Sequence, residues 1–176
     1  MIQTCDKWDA RFFLLADMTA SWSEDTSRKV GCIIVGPANE IRATGYNGLP
    51  RGVSACEEIR HSRENGNKYL WFEHAERNAI YNLARTGVSA EGCTMYVNSF
   101  PCADCARAIV QSGISTLKTF ESDSADEVFS KHFVAAKEMF EEANVRLVVY
   151  SRSDKLILQT EEAFDEARDP KNRYFR

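Results

Sequence analysis

The sequence predicts an α/β fold: a three-layer α/β/α sandwich, with helices on both faces of a mixed central sheet of about five strands. Three observations lead there. Amphipathic segments alternate with short β-branched runs in the order α-β-β-α-β-α-β-α-β. The runs "KVGCIIVG", "CTMYVNS" and "VRLVVY" are short and apolar enough to be buried strands. Glycine and proline punctuate the boundaries between segments.

The first helix is expected over residues 6–22, with Trp8, Phe12 and Leu15 spaced four and three apart and Asp6, Arg11 and Asp17 as polar partners. A strand over 29–36, the turn "PAN" and a second strand over 40–48 make a hairpin that feeds a glycine-rich loop. Residues 49–71 are polar, basic and irregular, with room for a short helix near 56–63; a loop of that length is commonly functional. The next helix, 74–87, carries Ala75, Ala79, Ile80 and Leu83 on one stripe and Gly87 as its stop. A strand over 93–99 follows, then a helix that opens at Pro101–Cys102 and ends near Gly113. A strand over 114–120, a helix over 126–143 and a strand over 145–150 complete the order. Residues 1–150 read as one domain; residues 151–176 read as a C-terminal extension, packed on it or at a subunit contact.

The chain has 176 residues and a net charge of −4, which disfavours a general nucleic-acid binder. It has no apolar run long enough to span a membrane, and its first residues lack the apolar core of a signal peptide, so a cytoplasmic location without membrane partners is expected. In a reducing compartment the six cysteines are not expected to pair as disulfides.

Chemistry concentrates in "FPCADCARAI". Cys102 and Cys105 stand three apart at a helix start, where free N–H groups and the helix dipole favour thiolates. Two thiolates do not complete a zinc site. Of the three histidines, His61, His74 and His132, only His74 also opens a helix, and Glu76 follows two residues later. The helix, turn and strand between Glu76 and Pro101 can return both helix starts to one end of the sheet, where ligands commonly bind. A redox pair, buried thiols, or a structural zinc completed by Cys93 or Cys56 would each use the cysteines. None of them uses Glu76. His74-x-Glu76 with Pro101-Cys102-x-x-Cys105 is the arrangement of zinc deaminases, in which one histidine and two cysteines hold Zn²⁺ and the glutamate moves protons.

The segments "SWSEDTSRKVGCIIV", "ATGYNGLPRGV", "HAERNAI" and "FPCADCARAIVQSGI", in this order, resemble the deoxycytidylate (dCMP) deaminase family of the cytidine deaminase superfamily, over roughly residues 7–150. The resemblance implies a cytidine deaminase-like sandwich with one catalytic zinc per chain on His74, Cys102 and Cys105, and Glu76 as proton shuttle. It implies hydrolysis of dCMP to dUMP and ammonia, which supplies thymidylate synthesis, in a homohexamer activated by dCTP and inhibited by dTTP. Asn47 and Ala75 then match substrate-contacting positions. Ser27, Arg28 and Lys29 are the candidates for the substrate phosphate, and Arg85, Tyr46 and Gly48 for a regulatory nucleotide. Some relatives hold a second, structural zinc; Cys56 and His61 offer only two ligands for one, so none is expected. The loop over 50–71 diverges from relatives and is where specificity can be set. The alternatives are a deaminase of dCTP, CMP, a 5-substituted dCMP or a riboflavin-pathway pyrimidine, or a silent nucleotide-binding protein of the same fold.

Overall fold

A computed structural model describes residues 7–122 and 130–151. The first helix, α1 (Lys7–Ala20), leads into the hairpin β1 (Gly31–Val35) and β2 (Ile41–Tyr46). Two short 3₁₀ turns, Glu58–Arg60 and Glu64–Gly66, precede α2 (Asn67–Trp71). Then come α3 (Ala75–Thr86), β3 (Thr94–Val97), α4 (Ala103–Gln111), β4 (Thr116–Phe120), α5 (Ser130–Glu142) and β5 (Arg146–Tyr150).

The five strands form one mixed sheet in the order β2-β1-β3-β4-β5. β1 pairs antiparallel with β2 and β3, whereas β3, β4 and β5 run parallel. This direction pattern gathers the C-terminal ends of β2 through β5 and the start of β1 at one end of the sheet.

Strand alternation divides the core in two. Cys32, Ile34, Met95, Val97 and Leu117 face α3, α4 and α5, with Ala79, Leu83, Ile109, Phe133 and Phe140 packed on them. Ile33, Val35, Tyr96, Phe120, Val148 and Tyr150 face α1 through Phe12, Phe13 and Ala16. The predicted three layers and five strands are all present.

The buried face of α1 differs from the expected stripe. It is Asp9, Phe12, Phe13, Ala16, Thr19 and Ala20, whereas Trp8 and Leu15 are only partly covered. A charged residue holds a core position because three groups satisfy it. Asp9 accepts hydrogen bonds from Tyr96 (2.8 Å) and Lys118 (2.5 Å) and from the hydroxyl of Tyr150. The helix also stops at Ala20 rather than 22, because Trp22 and Ser23 donate to Thr19 and Ala20, the tighter pattern of a fraying end.

Residues 49–71 are less irregular than their composition predicts. The helical turn expected near 56–63 is the 3₁₀ turn Glu58–Arg60, and α2, five residues long, escaped the pattern because it is too short to show a period. Gly87 ends α3 in the left-handed conformation, as expected of a glycine stop (φ 69°). The predicted start of the fifth helix and the extension beyond residue 151 lie outside the described residues. Among the described residues, no helix is long and apolar enough to cross a membrane.

Candidate active site

The site lies at the gathered strand ends, where α3 and α4 begin. His74 is the extended residue that precedes α3 (φ −85°, ψ 154°), and Cys102 holds the same position before α4 (φ −76°, ψ 171°). Pro101 therefore stands one residue before the cap, not inside the first turn as expected, because Cys102 itself keeps the extended backbone that opens the helix. Cys105 is in the first turn. Glu73 steadies the other helix start: its carboxylate accepts from the His74 N–H (2.8 Å) and from Arg77 Nε (2.6 Å).

These two helix starts bring the expected trio together. His74 Nδ1 lies 3.4 Å from the sulfur of Cys102 and 3.4 Å from that of Cys105, and the three ligand atoms are all within 4.8 Å of one another. The cysteines are reduced and buried. One imidazole and two thiols suit Zn²⁺ in a tetrahedral site, and three protein ligands leave a fourth position open, as catalytic sites do. The two thiols are pushed in opposite directions, Cys102 toward the thiolate and Cys105 toward the protonated form. A hydrogen bond from the Cys105 thiol holds Cys102 down to about 3, and the same contact pushes Cys105 up. Burial alone would lower His74, but its contact with Cys102 and the charge of Glu76 outweigh burial and raise it.

Glu76 sits on the first turn of α3 with 4% of its surface exposed. Burial raises its carboxyl above the ordinary carboxylate range, and the charge of His74 opposes that rise. A carboxyl raised from its ordinary value is better suited to both taking and giving a proton than an unperturbed one.

A cleft opens beside this group. His74, Ala75, Glu76 and Cys102 line one wall; Phe72, Phe100 and Phe133 supply apolar surface. Asn47, Asp25, Arg28, Arg63 and Lys68 also line it. Gly48 and Glu73 exchange backbone hydrogen bonds (3.0 and 2.8 Å), which sets Asn47 beside the start of α3. The Asn47 amide donates to Asp25 (2.9 Å) and to the Arg28 carbonyl (2.8 Å), and its oxygen accepts from the Val30 N–H (2.8 Å). Asp25 in turn pairs with Lys68 (2.5 Å) and accepts from the Ser27 hydroxyl (2.8 Å).

The other sequence candidates fall in different places. Lys29 is turned to the Ser21 carbonyl (3.4 Å) and does not line the cleft. Tyr46 is exposed and packs edge-on against Trp22, outside the cleft. Arg85 is exposed on the last turn of α3, roughly 15 Å of helical rise beyond Ala75. Cys56 is exposed, and His61 faces the Ala55 carbonyl (3.0 Å). Sequence reasoning missed Arg63, Lys68, Phe100 and Phe133 as cleft residues. Only the basic character of the long loop hinted at the first two.

Comparison with known proteins agrees with this geometry. The family model "cytidine and deoxycytidylate deaminase zinc-binding region" matches residues 6–121. An uncharacterized deaminase of Aliivibrio fischeri (luxG 3′ region) is 38% identical over 144 residues, 80% of this chain and 92% of that one. The human deoxycytidylate deaminase is 39% identical over 144 residues, 79% of this chain and 77% of that protein. Among solved structures, the dCMP deaminase of cyanophage S-TIM5 in complex with dCMP and dUMP has the same fold, with a TM-score of 0.67 at 23% identity over 84% of this chain and 99% of that one. A zinc-type ligand trio beside a buried glutamate, in a chain that aligns with these proteins across most of its length, makes this an enzyme: the chain belongs to the cytidine and deoxycytidylate deaminase family and is a deaminase.

Proposed function

We propose that the enzyme hydrolyses dCMP to dUMP and ammonia and so supplies dUMP for thymidylate synthesis. The observation that carries the chemistry is the convergence of His74, Cys102 and Cys105 beside buried Glu76. The dCMP substrate is supported by the relatives named deoxycytidylate deaminases and by the cationic wall of the cleft. Zn²⁺ held by His74, Cys102 and Cys105 supplies a water of lowered pKa as the nucleophile.

Glu76 does the proton work. It takes a proton from the attacking water and passes it to N3 of the cytosine ring while a C4–O bond forms. It then carries the water's second proton to the C4 amino group, the C4–N bond breaks, and ammonia leaves. Ala75, on the cleft wall between His74 and Glu76, gives the ring a small neighbour. Asn47 has committed both amide protons, so what it offers a sugar hydroxyl is the second lone pair of its oxygen. Of the three residues expected at the phosphate, Arg28 lines the cleft, whereas Ser27 and Lys29 do not; Ser27 instead bonds to Asp25, Arg63 and Lys68. Regulation by dCTP and dTTP and a hexameric assembly are part of the same proposal. Tyr46, Gly48 and Arg85, at the entrance and far end of α3, are their candidate contacts.

The test is ultraviolet detection of cytosine-to-uracil conversion by zinc-loaded protein, with dCMP, CMP, deoxycytidine, dCTP and cytosine offered in parallel. Selective turnover of dCMP is expected. Glu76→Gln is expected to keep one zinc per chain and to lose about 10²- to 10⁴-fold in rate. Full turnover by a zinc-replete Glu76→Gln protein sinks the shuttle role, and preference for another pyrimidine moves the substrate. Titration of dCTP and dTTP into the same assay, together with sedimentation, tests regulation and assembly.

A further inference from the structure

Lys68 is a buried lysine, 7% exposed, on a five-residue helix in the divergent loop. Lysines are almost never buried without a partner, and a buried ion pair is seldom the most stable way to fill a core position. Its surroundings give it another use. The ammonium meets Asp25 (2.5 Å) and the Ser27 hydroxyl (2.7 Å), and Arg63 reaches the same Ser27 oxygen (3.1 Å). Ser27 spends its own proton on Asp25. Its two lone pairs are therefore taken by two cations that approach from one loop.

A neutral hydroxyl is a weak counterpart for a lysine and an arginine. Around it stand three cleft-lining cations, Arg28, Arg63 and Lys68, with Asp25 as the neighbouring carboxylate. Donors remain for a guest: one N–H of Lys68 and all but one of the five on Arg63. Excess positive charge, fixed donors and a cleft shared with Glu76 fit a phosphate monoester dianion.

We infer that Arg63 and Lys68 clamp the 5′-phosphate of the substrate, and that residues 63–68, more than the catalytic motifs, set the preference for a nucleotide over a nucleoside. This rests on the reading that the cleft deaminates a pyrimidine nucleotide. A free phosphate ion would meet the same donors.

The experiment compares zinc-loaded wild type, Arg63→Gln, Lys68→Arg and the paired variant Asp25→Asn, Lys68→Met, which leaves no unpaired buried charge. Steady-state kinetics are measured for dCMP and deoxycytidine, and thermal shift is measured with inorganic phosphate. Arg63→Gln is expected to lower kcat/KM for dCMP roughly 10- to 100-fold, mainly through KM, and to shrink the dCMP-to-deoxycytidine ratio by the same factor. The paired variant shrinks it further, and Lys68→Arg, which keeps the positive charge, retains most of it. Phosphate stabilises the wild type and competes with dCMP, and Arg63→Gln weakens both effects. Equal losses on the two substrates, or an unchanged ratio, overturn the clamp. If the wild type deaminates neither substrate, the deamination reading fails by itself. Phosphate stabilisation that Arg63→Gln abolishes then still supports the clamp, and stabilisation that it leaves intact overturns it.

Discussion

Asn47 shows how much one residue can hold. Read as a sugar contact, it proves also to be a brace: it ties the loop 23–28 to the start of β1 through Asp25, the Arg28 carbonyl and the Val30 N–H. Asp25 extends that brace to Lys68. Burial would raise its carboxyl, but the Lys68 ammonium and the N–H groups of Ser27 and Arg28 outweigh burial and hold it below the ordinary value of about 3.9. A carboxyl lowered on folding adds stability above its unfolded value, and that stability is lost as pH falls through its folded value. Asp25→Asn is therefore expected to flatten the acid limb below about pH 4 in urea unfolding across a pH series, besides costing about 3 kcal/mol at neutral pH. An acid limb as steep as that of the wild type would remove the ion pair from this role. At this scale His74, Glu76, Cys102 and Cys105 were legible because short spacings on helix starts carry them. Arg63 and Lys68 were not, because nothing local says which way a polar loop folds back.

At the scale of elements, the site depends on how closely α3 lies on β2. Gly45 makes that approach possible: a Cβ there would stand 2.3 Å from the Ala75 carbonyl oxygen and 2.4 Å from the Ala79 nitrogen. Both are backbone atoms of the helix that carries Glu76. Gly45→Ala is expected to push α3 outward, cost about 1–3 kcal/mol and loosen the His74 side of the ligand trio. Competition against a chelator would read this as weaker zinc affinity, and unchanged affinity would separate helix packing from the site. The alanine stripe of α3 was visible in the sequence, and Gly87 marked its end. The phase of α1 was misread, because a buried aspartate breaks the hydropathy pattern that reveals a buried face.

Across the whole molecule, the two sides of the sheet do different work. α3, α4 and the cleft occupy one side and its end. On the other side Asp9 joins α1 to β3, β4 and β5 through Tyr96, Lys118 and Tyr150. Asp9→Ala leaves a lysine and two hydroxyls without that partner and is expected to cost about 3–5 kcal/mol in denaturant unfolding. Zinc stoichiometry should hold, since the ligands lie on the opposite side; a loss of both together would mean that the two sides are coupled. The sequence by itself determined the order of the main elements, the layered class and the grouping of His74, Glu76, Cys102 and Cys105. Each of these follows from residues close enough along the chain for periodicity, caps and motif spacing to constrain them. Only the tertiary structure decided that Asp9 is buried, that Lys29 turns away, and that Arg63 and Lys68 meet Ser27. Those outcomes depend on which distant groups satisfy a buried charge or hydroxyl, and no local pattern encodes that pairing.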